Sequence, residues 1–192
     1  MKQAALLAAF IAVVSTNFAN PCTNEHEVKN YNDTSFIKTL SIHEMLQEII
    51  SATGLQQNFE LKQADVLNIE ASISHRKRYI LYNPAFITTI NDLTKNKWAV
   101  MALLAHEVGH HLNGHTIRKG GSTPELELQA DEFAGFILHK LGATLQQSQN
   151  VMNYIAKAKE SSTHPAKASR LLAIEKGWKN ASVLGINDTA KQ

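Results

Sequence analysis

The chain is poor in the residues that mark specialised architectures. It has one cysteine, Cys22, in 192 residues. No intramolecular disulfide can form, so a disulfide-stapled scaffold is excluded, and no second cysteine accompanies Cys22 as a metal ligand. Charge of one sign is also missing: 19 Lys and Arg against 17 Asp and Glu leave a formal charge of +2. The basic side chains are scattered, with no stripe or tail, which argues against a nucleic-acid partner. The one short cluster, His75-Arg76-Lys77-Arg78, reads as a solvated turn. Long apolar runs are scarce. Beyond the N-terminal segment the longest is Trp98–Ala105, too short to span a membrane. No internal repeat or low-complexity tract is present. What remains is a length suited to one compact domain with its own hydrophobic core.

The first residues have the layout of a secretory signal peptide. Met1-Lys2 is a short positive start, Ala4–Val14 is apolar, and Ser15–Ala19 supplies small and polar residues before cleavage after Ala19. Residues 1–19 are therefore expected to be removed, and the mature chain to act in the periplasm or outside the cell without a transmembrane domain. Pro21 is a poor neighbour for lipid attachment at Cys22, so an unpaired thiol is expected there. Residues 20–34 form a polar lead-in, 35–180 a single domain, and 181–192 a C-terminal tail. The sequence is silent on oligomeric state.

Periodicity predicts helices with one hairpin among them. Ile42, Met45, Leu46, Ile49 and Ile50 make one apolar helical stripe, from a start near Ser35 to a stop at Gly54. Val66–Ile73 and Arg78–Tyr82 have the β-branched and aromatic character of strands, joined by a hairpin at Ser74–Lys77. Asn83-Pro84 ends the second strand, and Ala85–Ile90 reads as a short helix. A helix follows over Trp98–Asn113, then a loop with Gly114 and Gly120-Gly121. Thr123 as N-cap with Pro124 at the first helical position opens the next helix; Ser122 as cap with Glu125 is the competing register. That helix carries the stripe Leu126, Ala130, Phe133, Ile137 and Leu141 and stops at Gly142. Leu145–Lys159 and Pro165–Lys176 read as two more. The fold class is α+β, mostly helical with a small antiparallel sheet.

The chemistry is concentrated in His106-Glu107-Val108-Gly109-His110. On a helix the two histidines are one turn apart on one face, so both imidazoles can reach a single Zn²⁺. The glutamate between them is the expected general base of a metalloprotease. The plain alternative is an amphipathic helix with two surface histidines. A catalytic zinc needs a third protein ligand, and the next helix offers Glu125, Glu127, Asp131 and Glu132. Glu127 and Asp131 share a face. Gly135 continues that face, where a small residue would let this helix and the motif helix approach closely, as a metal shared between them demands. A charged solvent face is the ordinary reading of the same carboxylates. His111 is offset by one residue from the metal-facing side and reads as structural. His26, His43, His75 and His139 have no ligand spacing.

Together these residues resemble a known pattern. His106-Glu107-x-x-His110 followed by Glu127-Leu128-Gln129-Ala130-Asp131 resembles the Glu-x-x-Ala-Asp element of gluzincin metallopeptidases. The similarity is to the group of CAAX prenyl proteases and their HtpX-like and BepA-like relatives. His115, five residues past His110, is similar to a feature of the periplasmic members. Ser162-Thr163-His164-Pro165 with Arg170 resembles the group's Thr-His-Pro…Arg segment, and Asn68-Ile69-Glu70-Ala71 resembles its Asn-Ala-x-Ala strand, with Ile69 in place of the usual alanine. The match covers residues 66–175 and would make the chain a minimal exported member.

The resemblance implies a zincin-like fold with one Zn²⁺ held by His106, His110 and Glu127. It makes Glu107 the base and sets Asp131 behind a ligand histidine. His164 would lie near the open coordination position, either filling it or stabilising the tetrahedral intermediate. Arg170 would organise the site or pair with a carboxylate. Asn68 and Ala71 would belong to a strand that receives the substrate. The implied activity is endopeptidase cleavage of an extended or unfolded polypeptide. The competing expectation is a proteolytically silent binding or chaperone-like module, with His164 closing the zinc site.

Overall fold

The computed structural model describes residues 36–118 and 121–189. The expected signal peptide, the lead-in and Cys22 lie outside the described residues. The chain is α+β, with a small sheet packed against a larger set of helices. In order, its elements are α1 (Phe36–Thr53), β1 (Glu60–Gln63), β2 (Ile69–Ser74), β3 (Lys77–Tyr82), α2 (Pro84–Thr94) and α3 (Lys97–Leu112). A 3₁₀ turn (His115–Ile117) follows, then α4 (Pro124–Lys140), α5 (Leu145–Gln149), α6 (Met152–Ile155) and α7 (Lys167–Thr189). No helix among the described residues is long and apolar enough to cross a membrane.

The sheet is mixed rather than purely antiparallel. Its order is β1-β3-β2, with β3 central. β2 pairs antiparallel with β3 through Ala71 opposite Ile80, while β1 runs parallel to β3 with Leu61 opposite Ile80. The β2–β3 hairpin forms where the sequence predicts it. His75 and Arg76 both adopt positive φ, 49° and 65°, the backbone of a two-residue type I′ turn achieved without Asn-Gly. His75, Arg76 and Lys77 are exposed, as a solvated turn requires. β1 has no signal in the sequence: Glu-Leu-Lys-Gln is short and polar, and its strand state comes from pairing with β3.

The motif helix α3 lies at the centre of the fold. Asn96 caps it by accepting from the Trp98 amide at 2.9 Å, and Gly114, at φ 71°, lets the chain leave it. Every residue from Ala99 to His111 is buried. A helix buried on all faces needs no amphipathic stripe, which is why Trp98–Ala105 reads as an unbroken apolar run. The core it belongs to also holds Leu46 and Ile49 of α1, Ile80 of β3, Ile90 of α2, Ile137 and Leu138 of α4, and Ile174 of α7.

Two glycine contacts set the approach of the helices around the site. On α3, a Cβ at Gly109 would lie 3.2 Å from the Ala130 Cα of α4, so the glycine inside the motif brings the two helices together. Gly135 serves a different neighbour from the one the sequence suggested. A Cβ there would lie 2.0 Å from the Ile174 carbonyl oxygen of α7, and a Cβ at Gly177 would lie 1.8 Å from the Glu132 carbonyl oxygen of α4. The α4–α7 crossing is thus backbone on backbone.

Three boundaries differ from the sequence reading. α7 continues through Gly177 to Thr189 instead of ending at Lys176, because that glycine is used in the crossing; part of the expected tail is therefore helix. The predicted Leu145–Lys159 helix divides into α5 and α6. Thr144 and Gln147 form a capping box at the start of α5, and the chain then leaves helix after Ile155. The segment from Ala156 to Ala166 is irregular and carries His164, and α7 starts two residues after Pro165.

Candidate metal centre

Three side chains converge at the junction of α3 and α4. His106, His110 and Glu127 are all buried, and their ligand atoms lie within 4.8 Å of one another. His106 Nε2 and His110 Nε2 are 3.0 Å apart. Glu127 Oε2 lies 3.3 Å from His106 Nε2, and Glu127 Oε1 lies 3.4 Å from His110 Nε2. These separations match the roughly 3.3 Å edge of a tetrahedron whose metal–ligand bonds are about 2.0–2.1 Å. Two imidazole nitrogens and a carboxylate oxygen are a donor set suited to a borderline-soft divalent ion. The residues therefore fit a metal, and the surface-histidine alternative does not describe them, since His106 and His110 are each 7% exposed.

The four candidate carboxylates of α4 separate cleanly. Glu127 joins the cluster. Asp131, fully buried, lies 2.8 Å from His106 Nδ1 through Oδ1. Glu132 bonds to Lys176 at 2.8 Å on another face, and Glu125 is exposed. α4 takes the Thr123 register: the Thr123 hydroxyl accepts from the Leu126 amide. Ser122, freed from capping, donates its hydroxyl to Glu127 Oε1. This support for Glu127 is missed by sequence reasoning; the competing cap registers at Ser122 and Thr123 were its only trace.

Arg170 comes from α7. Its Nε and Nη2 donate to Asp131 Oδ2 and Oδ1 at 2.7 and 2.8 Å, a two-point grip on a buried carboxylate. The chain Arg170–Asp131–His106 fixes the imidazole, with Nδ1 toward Asp131 and Nε2 toward the cluster. Asp131 stands behind His106, and the carboxylate that Arg170 pairs with is Asp131.

Glu107 occupies the cavity beside the cluster. Its Oε2 accepts from the backbone amide of Ala71, at the centre of edge strand β2, at 2.7 Å. The cavity, of about 200 Å³, is lined by Asn68 and Ala71 on one side and by Ser161, His164 and Pro165 on another, with Phe86, Ile90, Leu103, Met152 and Ile155 as apolar wall. His164 lines the cavity but is not a member of the ligand cluster among the described residues. Its Nδ1 meets the Thr163 hydroxyl at 2.8 Å.

The electrostatics follow from burial against paired charge. Burial alone would lower the His106 imidazole, but the carboxylates of Asp131 and Glu127 outweigh it and raise it to about 10. Burial would raise Glu127, yet the two histidines hold it well below the usual carboxylate range. Asp131 resists burial in the same way and is held low, chiefly by Arg170. Glu107 has no such partner strong enough: burial pushes it up to about 7. Burial lowers His110 and His164.

Two further histidines of the motif region are structural in placement. His111 stacks on Phe59 with ring centroids 4.9 Å apart, and its Nε2 lies 2.9 Å from the Tyr79 carbonyl oxygen of β3. Burial lowers it to about 4, so it is a neutral tie between α3 and the sheet, as its offset predicts. His115, 1% exposed, places Nδ1 3.0 Å from His110 Nδ1 and Nε2 3.0 Å from Gln129 Oε1.

Compared with known proteins, the chain matches no family model, no curated protein and no solved structure.

Proposed function

We propose that this chain is a zinc-dependent endopeptidase of the gluzincin type, exported and active on extended polypeptide in the periplasm or outside the cell. The observation that carries the reading is the position of Glu107. A buried carboxylate with a raised pKa sits in an open cavity beside two imidazoles and a third carboxylate spaced for one ion. Such a carboxylate, beside the ligand cluster and not within it, is placed to move a proton in that cavity. The zincin-like fold belongs to the same reading and rests on the motif resemblance; export rests on the N-terminal layout of residues 1–19.

His106, His110 and Glu127 would hold the ion, which when bound would polarise the scissile carbonyl and acidify the attacking water. Glu107 accepts the proton of that water as its oxygen bonds to the carbonyl carbon. It then passes the proton to the amide nitrogen as the C–N bond breaks. The Ala71 amide fixes Oε2 of Glu107 and so aims the carboxylate. His164, on another wall of the cavity, is assigned the hydrogen bond to the carbonyl oxygen as it gains charge. β2 is an edge strand lining the cavity, and an extended chain can add to it backbone to backbone. That mode selects unfolded or flexible segments.

The test is Glu107→Gln beside wild type on a panel of disordered polypeptides, with a chelator control. Zinc content should stay near one ion per chain while hydrolysis falls by about 10²–10⁴-fold, the range for loss of a general base. Equal hydrolysis by the variant would remove Glu107 from the reaction.

A further inference from the structure

His106 and His110 are oriented by different chemistry. The Nδ1 of His106 faces an ionised carboxylate, which can only accept, so its tautomer needs no further explanation. The Nδ1 of His110 faces another imidazole, His115 Nδ1, at 3.0 Å. One hydrogen lies between these two nitrogens, and its owner decides whether His110 can bind a metal. If His110 owns it, Nε2 of His110 is a lone pair aimed at His106 and Glu127. If His115 owns it, Nε2 of His110 carries a hydrogen and cannot ligate.

Glu127 Oε1, 3.4 Å from His110 Nε2, favours a hydrogen on that nitrogen, and the other end of His115 opposes it. Its Nε2 lies 3.0 Å from Gln129 Oε1, an atom that can only accept. That orientation also suits Glu125, four residues earlier on α4: Gln129 Nε2 donates to Glu125 Oε1 at 3.4 Å. Turning the amide over would set two acceptors against each other. His115 therefore carries its hydrogen on Nε2. With that hydrogen on Nε2, Nδ1 of this buried ring is left as the acceptor facing His110 Nδ1 at 3.0 Å and takes the hydrogen from His110.

We infer that Gln129 and His115 are positioning residues that select the ligating tautomer of His110, through the relay Glu125–Gln129–His115–His110. The inference rests on the metal-centre reading for its purpose but not for its geometry. Neither residue touches the proposed substrate or ion. Gln129 is exposed, so its substitution leaves the core intact.

The experiment inverts the polarity of that one contact in the full-length protein. Gln129→Glu keeps an acceptor, Gln129→Met removes it, and Gln129→Lys presents a donor. The ¹⁵N shifts of the imidazoles in metal-free, histidine-labelled protein report the tautomers directly. Zinc affinity, by competition with a chromophoric chelator, reports the consequence. In wild type and Gln129→Glu, His115 should carry its hydrogen on Nε2 and His110 on Nδ1. In Gln129→Lys the His115 tautomer should reverse, and zinc affinity should fall about 10–100-fold, the range for lost outer partners of a ligand histidine. Gln129→Met should fall between. An unreversed tautomer in Gln129→Lys, or a reversed one with wild-type zinc affinity, overturns the inference. If wild type takes up no zinc, the metal reading fails, and the ¹⁵N pattern still decides the relay.

Discussion

The amide of Ala71 donates to Oε2 of Glu107 across 2.7 Å. The two residues are 36 positions apart, one at the centre of an edge strand and the other inside the motif helix. Ala71 stands opposite Ile80 in the ladder, and its N–H turns away from β3 toward the cavity. A backbone group that a sheet edge normally leaves to solvent instead restrains the catalytic candidate. The strand that would receive substrate and the base that would act on it are thereby one unit.

Ala71→Pro tests that unit. Proline removes the N–H without removing a ladder bond, because edge strands tolerate it on the outward side. A hydrogen bond to a charged group contributes about 1.5–3 kcal/mol, and its loss frees the Glu107 carboxylate to swing. Zinc content should be unchanged while kcat for peptide cleavage drops by about tenfold or more. A variant with wild-type kcat would mean that the amide does not aim the base.

Asp131→Asn should damage both metal affinity and stability. The substitution neutralises the partner of Arg170, which is 7% exposed, and breaking a buried ion pair on one side costs about 3–5 kcal/mol. It also weakens the hold on His106 Nδ1, for which about a 10–100-fold loss of zinc affinity is expected. Urea unfolding and zinc titration measure the two effects. Adding Arg170→Met should recover a large part of the stability, since it removes the stranded charge, and little of the affinity. Additive losses in the double variant would contradict the pairing.

Metal uptake should release a proton. In the metal-free protein His106 is raised to about 10, so near pH 8 the ion must displace the imidazole hydrogen on Nε2. Affinity should rise by roughly tenfold per pH unit toward pH 10, then level off. Stability of the metal-free protein moves the other way. A folded-state pKa above the unfolded 6.5 contributes stability that is full below about pH 6.5 and is lost as pH rises through about 10. Calorimetry of zinc binding at pH 8, in buffers of different ionisation enthalpy, counts the protons. A count near zero would show that His106 is already neutral there.

The legible part of this molecule is the part that depends on local spacing. His106, Glu107 and His110 sit on one helix, and Glu127 and Asp131 four apart on the next, so their grouping follows from helical periodicity once two helices meet. Thr123, Asn83 and the His75-Arg76 turn are likewise local. β1 is invisible because its four residues take their conformation from β3. The support by Ser122 and Gln129 is invisible because it depends on loop and helix ends meeting in space. Gly135 illustrates the boundary between the two. Its need for close approach is readable, but the partner is not: it meets α7, and Gly109 serves the α3–α4 contact assigned to it. His164 falls on an irregular segment, where no periodicity fixes its distance from the cluster.

Gly177→Ala separates a required glycine from an incidental one by sign. In an exposed helix interior the change would stabilise by about 1 kcal/mol, because alanine is the better helix former. Here a Cβ would meet the Glu132 carbonyl oxygen at 1.8 Å. That atom is backbone, so no rotamer change relieves the contact and α7 must move off α4. Overpacking of this kind costs about 1–3 kcal/mol or more, which reverses the sign. The displacement also reaches the metal centre, because Arg170 is on α7 and holds Asp131 at 2.7 Å. Gly177→Ala should therefore lower the urea midpoint and weaken zinc together. Glu175→Ala, on the same helix but in a part-exposed i,i+4 pair with Lys179, should change neither by more than about 1 kcal/mol. A stabilised Gly177→Ala would mean that α4 and α7 do not cross at their backbones, and that Arg170 does not reach Asp131 by this route.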